Sequence, residues 1–371
     1  MESIIQQKPL ARQLFRSKIY TVLWITFFWL FVSFYQYFDR YAILLDNSCI
    51  DDTYPHLEYI QGLFISLILG GLFGGSALVF LWEKWLRRMP FFNAIAYMVG
   101  WYTILNLTLT LIAILTYQGP DSPLNDQPFH KAILPALFNI NLLPNFLFWL
   151  GVVFLTLVFL LIRDKFGPGM FIAFLRGKYF RPRREERIFM FMDLRSSTTN
   201  AEDLEEEKYF NFLSDTFETA TPGILGTKGE IYQYAGDEIV ISCPMESGLK
   251  DDNCISCYYH MMSLINQRAA YFETTYNVKP HFKAGLHAGY VIAGEVGMIK
   301  REIVYTGDVL NTTARIQSKC NEMGVDLLIS QTLANALNTG KELIYETLGA
   351  LDLKGKSKMV EVATVHLKQP R

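Results

Sequence analysis

Hydrophobic positions along the 371-residue chain fall into two regimes. Up to about residue 165 they form long unbroken runs. From about residue 183 they recur at strand and helix spacing between charged turns. Four runs lack Asp, Glu, Lys and Arg and reach bilayer-crossing length, about 20 residues. They are Ile19–Phe38, Tyr59–Trp82, Phe91–Tyr117 and Leu142–Ile162. The polar segments between them alternate in charge. Lys8, Arg12, Arg16 and Lys18 precede the first run, and Lys84, Arg87 and Arg88 follow the second. Arg163, Lys165, Arg176, Lys178, Arg181, Arg183 and Arg184 follow the fourth. The other two connections lean acidic, with Asp39, Asp46, Asp51, Asp52 and Glu58 in one and Asp121 and Asp126 in the other. Positive segments stay on the cytoplasmic side. The pattern therefore predicts a multi-pass, four-helix transmembrane region over 1–165, in the plasma (inner) membrane, with both termini in the cytoplasm. Met1–Lys18 is too polar, and the first run too long, for a cleaved signal peptide.

The stretch 166–186 predicts a juxtamembrane linker ending in the charged run Arg181–Arg187 (RPRREER). Residues 187–371 predict a second domain. Strands are expected at Ile188–Leu194, Gly229–Tyr234, Glu238–Cys243, Asp326–Ser330, Tyr345–Leu353 and Val360–His366. A strand pair parted by Gly289 is expected over Phe282–Ala288 and Val291–Glu295. Helices are expected at Glu205–Ala220, Cys254–Tyr276, Asp308–Lys319 and Thr332–Leu337. Strands and helices intermix without strict alternation, which points to an α+β domain with helices on a largely antiparallel sheet.

Composition sharpens two points. Apolar residues make up 51% of the chain and charged ones 19%, a balance that favours a membrane region over an apolar soluble bundle. The formal net charge of −2 gives no basic surface for nucleic acid. Cys254 and Cys257 form a lone C-x-x-C with no second pair to complete a zinc site, so free thiols are expected. Gly70, Gly71, Gly74 and Gly75 give overlapping G-x-x-x-G pairs, suited to packing within the helical unit or to a dimer face.

Candidate chemistry sits in the second domain. Asp193 ends the strand FMFMD and precedes LRSST, a polar run able to offer backbone N–H groups. Asp237 lies at the tip of the hairpin GEIYQYAGDEIVIS. Two carboxylates on rigid strand ends suit a pair of Mg²⁺ ions, although Gly-Asp is also a common hairpin turn. On spacing alone both readings stay open. In VYTGDVLNTTARI, Asn311 and Arg315 lie four apart on one helix face, suited to orienting a sugar and stabilising phosphate charge, although such a pair by itself is more often a solvated helix surface.

In combination these motifs resemble a class III nucleotidyl cyclase catalytic domain, over about Arg187–Lys368. Asp193 and Thr198 match the first metal Asp with its trailing Thr, and Gly236–Asp237 match the Gly-Asp hairpin. KAGLHAGYVIAGEVG is similar to the family's glycine-rich strand pair, and Asn311 and Arg315 match its N-x-x-x-R helix. Lys354, in LDLKG, resembles its late phosphate-binding lysine. The resemblance implies a ferredoxin-like α+β cyclase fold and two Mg²⁺ or Mn²⁺ ions per active site, held at Asp193, Leu194 and Asp237. It implies phosphate contacts from Ser196, Ser197, Thr198 and Lys354, with catalysis by Asn311 and Arg315. The implied reaction is attack of the 3′-oxygen of a nucleoside triphosphate on its α-phosphate, giving a 3′,5′-cyclic nucleotide and pyrophosphate. A head-to-tail homodimer is implied, with Asp193 and Asp237 from one chain and Asn311 and Arg315 from the other.

Base selection departs from the family pattern. Gln233 stands where adenine-selecting members carry Lys, and Val304 where they carry Asp or Thr. The guanine-selecting pair, Glu and Cys, is absent as well. A Gln amide both donates and accepts, and Thr306 or Glu302 offers polar atoms beside Val304. ATP is the expected substrate. A guanylate cyclase, or a cyclase-fold module that binds nucleotide with little turnover, is the alternative. AGDE is also similar to the core motif of diguanylate cyclases, but LRSST after Asp193 and the Asn311–Arg315 pair have no counterpart there.

Overall fold

A computed structural model describes residues 7–46, 64, 72, 74–116, 142–337, 343–352 and 359–368. The chain divides into two compact units. One holds residues 16–165 and the other residues 166–371 with the first fifteen.

The helical unit contains α1 (Gln7–Asp46), α2 (Gly75–Lys84), α3 (Phe91–Thr116) and α4 (Leu142–Phe166). Two stretches, Lys18–Asp39 and Leu143–Phe166, are helical, long and apolar enough to cross a membrane. Most of the expected second run, Tyr59–Trp82, lies outside the described residues. Ile25, Leu78, Val79, Trp82, Met98, Leu157 and Leu160 form the buried seam between the helices. Polar side chains in this seam bond one another, as burial away from water demands. The Trp29 indole donates to Thr156 at 3.0 Å, Gln36 to Asn145 at 3.0 Å and Trp82 to Asp164 at 2.6 Å. Gly74 and Gly75 face α1, where an added Cβ on either meets Trp29 or Ile25 at 3.2 and 3.6 Å. These two glycines therefore serve packing inside the unit. Gly70 and Gly71 lie outside the described residues. Trp24, Phe27, Phe31, Phe92 and Trp101 point outward and are exposed.

The second unit is built on one mixed sheet of eight strands: β1 (Arg183–Leu194), β2 (Glu230–Ala235), β3 (Glu238–Pro244), β4 (Phe282–Val296), β5 (Glu302–Thr306), β6 (Leu327–Ser330), β7 (Leu343–Leu351) and β8 (Val360–Leu367). Their order is β2-β3-β1-β4-β6-β8-β7, with β5 paired to the far half of β4. Among the described residues only β4 and β6 run parallel. Successive side chains of a strand point to opposite faces, and β1 feeds two cores in this way. Ile188, Met190 and Met192 enter a core with α7 (Glu206–Gly226) and α9 (Asn253–Gln267), including Phe212, Ile224, Ile255 and Met261. Phe189 and Phe191 enter a second core with Val240, Val291, Tyr305 and Val309. Met170 and Ala173 of α5 (Pro168–Leu175) pack on that second core, and Tyr179 is buried in it. Tyr179 also accepts a main-chain bond from Glu295 at 3.1 Å.

Three sequence expectations change. The strand pair parted by Gly289 is one continuous strand of 15 residues, pairing β1 along its length and β5 at its far half. The helix expected over Cys254–Tyr276 divides at Arg268 into α9 and α10 (Ala269–Tyr276). There the Arg268 guanidinium donates to Thr219 at 2.9 Å and stacks on Tyr271 at 4.5 Å, which fixes the break. Of the charged boundary Arg181–Arg187, residues Arg183–Arg187 are β-strand, and Arg187 is among the most buried side chains of the unit. Cys243, Cys254, Cys257 and Cys320 are free and buried. Burial pushes the Cys257 thiol up to about 12, which makes it unreactive.

Candidate active site

Asp193 is the penultimate residue of β1 and stands opposite Glu238 on one side and Lys283 on the other. Directly opposed residues of antiparallel strands share a face, so Glu238, Asp193 and Lys283 form one row across three strands. The Lys283 ammonium meets the Asp193 carboxylate at 2.9 Å. Ala235 pairs with Glu238, leaving Gly236 and Asp237 as a two-residue turn. Gly236 has φ 64°, a left-handed conformation such hairpin turns require and glycine adopts without strain. The sequence thus sets Asp237 at a stiff tip beside Asp193.

Electrostatics place the acids near a common point. Glu238 is pushed up to about 7 by burial, then by Asp193, then by Asp237. The Tyr209 hydroxyl, on α7, is raised by burial and then by Asp237 and Asp193. The carboxylate oxygens of Asp193 and Asp237 are the hard donors that Mg²⁺ or Mn²⁺ takes. Among the described residues no group of three His, Cys, Asp or Glu side chains converges as a complete metal cage. A pair of carboxylates fits Mg²⁺, which is commonly bound by one or two carboxylates with substrate phosphates completing the shell. The Leu194 side chain is hydrocarbon, so its main-chain carbonyl is the one group it could offer an ion, and the residue as a whole is buried.

Two residues beyond Leu194, Ser196 adopts φ 57° and α6 (Ser197–Leu204) begins. The first-turn N–H groups of a helix lack intrahelical acceptors and attract anions. Ser197 and Thr198 occupy that turn.

Asn311 and Arg315 sit on α11 (Asp308–Ser318), whose Val309, Thr312, Thr313, Ile316 and Gln317 are buried. Asn311 faces outward and is exposed, and Arg315 is half-buried. Among the described residues neither bonds to Asp193 or Asp237. Two glycines of β4 seat this helix. A Cβ on Gly285 would stand 2.4 Å from the Gln317 nitrogen, and one on Gly289 would stand 2.7 Å from Val309. The glycine-rich motif therefore permits close helix-on-strand approach.

Gln233 and Thr306 are exposed and Val304 is half-buried. β2 and β5 are not ladder partners. They meet through Tyr232, whose hydroxyl accepts from the Tyr305 main-chain N–H at 3.3 Å. Tyr232 packs edge-on against Tyr305 at 5.1 Å, and Tyr234 stacks on Phe217 at 4.9 Å. Lys354 lies outside the described residues. Nothing in the sequence marks Lys283 or Arg187, and the placement of Glu238 and Lys283 opposite Asp193 emerges only from the register.

The chain is 32% identical over 204 residues to adenylate cyclase 2 of Rhizobium meliloti, covering 55% of this chain and 56% of that protein. It is 25% identical over 218 residues to an adenylate cyclase of Anabaena cylindrica, covering 54% of this chain and 42% of that protein. The chain thus spans about half the length of the curated relatives it matches. A solved bacterial light-regulated adenylyl cyclase shares the fold, with a TM-score of 0.50 and 23% identity over 58% of this chain and 63% of that one. Residues 181–366 match the family of adenylate and guanylate cyclase catalytic domains, and the chain belongs to that family.

Proposed function

We propose that the chain is a membrane-bound adenylate cyclase that converts ATP to 3′,5′-cyclic AMP and pyrophosphate. The observation that carries this reading is the juxtaposition of Asp193 and Asp237, delivered by a strand end and a glycine-led turn. These carboxylates and the Leu194 carbonyl would hold divalent ions, which when bound would neutralise phosphate charge and acidify the 3′-hydroxyl. Ser197 and Thr198 cradle phosphate oxygens at the start of α6, helped by Ser196 and Lys354. Asn311 orients the ribose and Arg315 meets charge developing on the α-phosphate. Because Asn311 is exposed and neither Asn311 nor Arg315 bonds to Asp193 or Asp237 among the described residues, a second copy supplies them in a symmetric head-to-tail homodimer with two sites.

The outward aromatic shell of the helical unit and the uncharged, 26-residue α3 support four membrane spans with the cyclase unit on the cytoplasmic side. A second reading rests on Gln233 and Val304. The Gln233 amide presents both a donor and an acceptor, which guanine also satisfies, so a guanylate cyclase or a weakly active nucleotide-binding module is the alternative. Purified full chain with Mg²⁺ or Mn²⁺, given ATP and GTP in turn, separates these. Cyclic AMP as the main product supports the proposal; cyclic GMP, or bound but unconverted nucleotide, supports the alternative.

A further inference from the structure

We propose that Arg187 is a positioning residue for the nucleotide base. Held between Glu185 and Glu230 and stacked on Tyr305, it sets the spacing between the strand bearing Gln233 and the strand bearing Val304 and Thr306. This rests on the nucleotide reading above.

Arg187 is 1% exposed, an uncommon burial for a guanidinium unless it is paired. On β1 it shares a face with Phe189, Phe191 and Asp193 by alternation. It is six residues from Asp193, roughly 20 Å along the strand, so it does not touch the reacting atoms. Its partners come from four strands. Nη1 donates to Glu185 of β1 at 3.0 Å, and Nη2 donates to Glu230 of β2 and to Ser242 of β3, the latter at 3.1 Å. The guanidinium lies 4.8 Å from the Tyr305 ring of β5. Two further groups hold the acids. Lys178 pairs with Glu185 at 2.7 Å, and α5 backs Glu230, since a Cβ at Gly169 would meet Glu230 Oε1 at 3.1 Å. Burial pulls the guanidinium's pKa down, and Glu230, Tyr305 and Glu185 together more than reverse this, so the charge is permanent.

The position of this charge links the base strands. Tyr305 lies between Val304 and Thr306, and its main-chain N–H bonds the hydroxyl of Tyr232, the neighbour of Gln233. Phe189 closes the group, 5.5 Å from Tyr305 and 6.5 Å from Tyr232. The separation of β2 and β5, which no ladder fixes, is therefore set by Arg187 from one end and by the Tyr232–Tyr305 bond in the middle. A network serving stability alone gives a different result when weakened, because base spacing enters nucleotide affinity more than turnover.

Two variants of the full chain in lipid nanodiscs test this. Glu230→Gln preserves shape and leaves Arg187 paired with Glu185. Tyr232→Phe removes only the hydroxyl. The proposal expects each to raise KM for ATP roughly 3- to 10-fold with kcat changed less than about two-fold. It also expects faster hydrogen exchange across both 230–235 and 302–306 in nucleotide-free protein. Unchanged KM, or kcat falling with the folded fraction at constant KM, overturns it. If the parent chain converts neither ATP nor GTP, the cyclase reading fails, and exchange alone then decides. Faster exchange at 302–306 in Glu230→Gln upholds the coupling of the strands, and exchange altered only around residue 230 overturns it.

Discussion

Replacing Gly285 with alanine tests how α11 is seated. The added Cβ would lie 2.4 Å from the Gln317 nitrogen, 2.6 Å from its Cα and 2.7 Å from its Cβ. Comfortable contacts between such atoms begin near 3.5 Å, so helix and strand must separate by roughly 1 Å. Gln317 neighbours buried Ile316 on the helix, and the opposing atoms are its main-chain N and Cα and its Cβ, none of which moves when the side chain rotates, so rotation cannot relieve the clash. Overpacking of this kind costs about 1–3 kcal/mol. The same shift moves Asn311 and Arg315, and about 1 Å of misplacement can cost on the order of 100-fold in rate. The assay is kcat/KM for cyclic nucleotide formation, read beside the unfolding midpoint. Gly100→Ala in α3 is the control, because nothing lies within 4 Å of its added Cβ. We expect Gly285→Ala to lose far more activity than its stability loss explains. Parental activity and an unchanged midpoint would refute the view that this glycine exists for close helix approach.

Other sites give further expected outcomes. Phe212, fully buried against Phe272 and Tyr276, should cost about 3–5 kcal/mol when changed to alanine, measured as a lower denaturant midpoint. His260 has a depressed pKa because burial disfavours its charged form, and its buried Nδ1 lacks a hydrogen-bond partner among the described residues. Its share of stability is complete above the unfolded value of about 6.5 and is lost as pH falls through the lower folded value. His260→Gln should flatten the unfolding midpoint between pH 6.5 and 5, and an unchanged slope would contradict this. Gln233→Lys should raise the preference for ATP over GTP in competition assays, whereas an unaltered ratio would remove Gln233 from base selection.

The site was more legible than its supports. Asp193 and Asp237 stood out because a strand end and a Gly-Asp turn are local features, written in adjacent residues. Asn311 and Arg315 share a helix face by their spacing, but only the combination with the other motifs gives that pair a role. Supports depend on contacts distant in sequence. Arg187 reads as part of a charged boundary because Glu230, one of the acids that neutralise it, lies 43 residues away. Gly289 read as a strand break, yet its lack of a side chain makes room for Val309 while the strand continues. The division at Arg268 depends on Thr219, a residue of another helix. Lys283 and Glu238 looked like ordinary strand residues until the register set both opposite Asp193.

Formation of cyclic AMP from ATP by the purified full chain, with Asp193→Asn and Asp237→Asn measured alongside, bears most directly on the central claim. The account predicts Mg²⁺- or Mn²⁺-dependent product and pyrophosphate from the parent and a loss of at least about 100-fold in either variant. Equal rates in parent and variants, or conversion that persists with all divalent ions chelated, would contradict it.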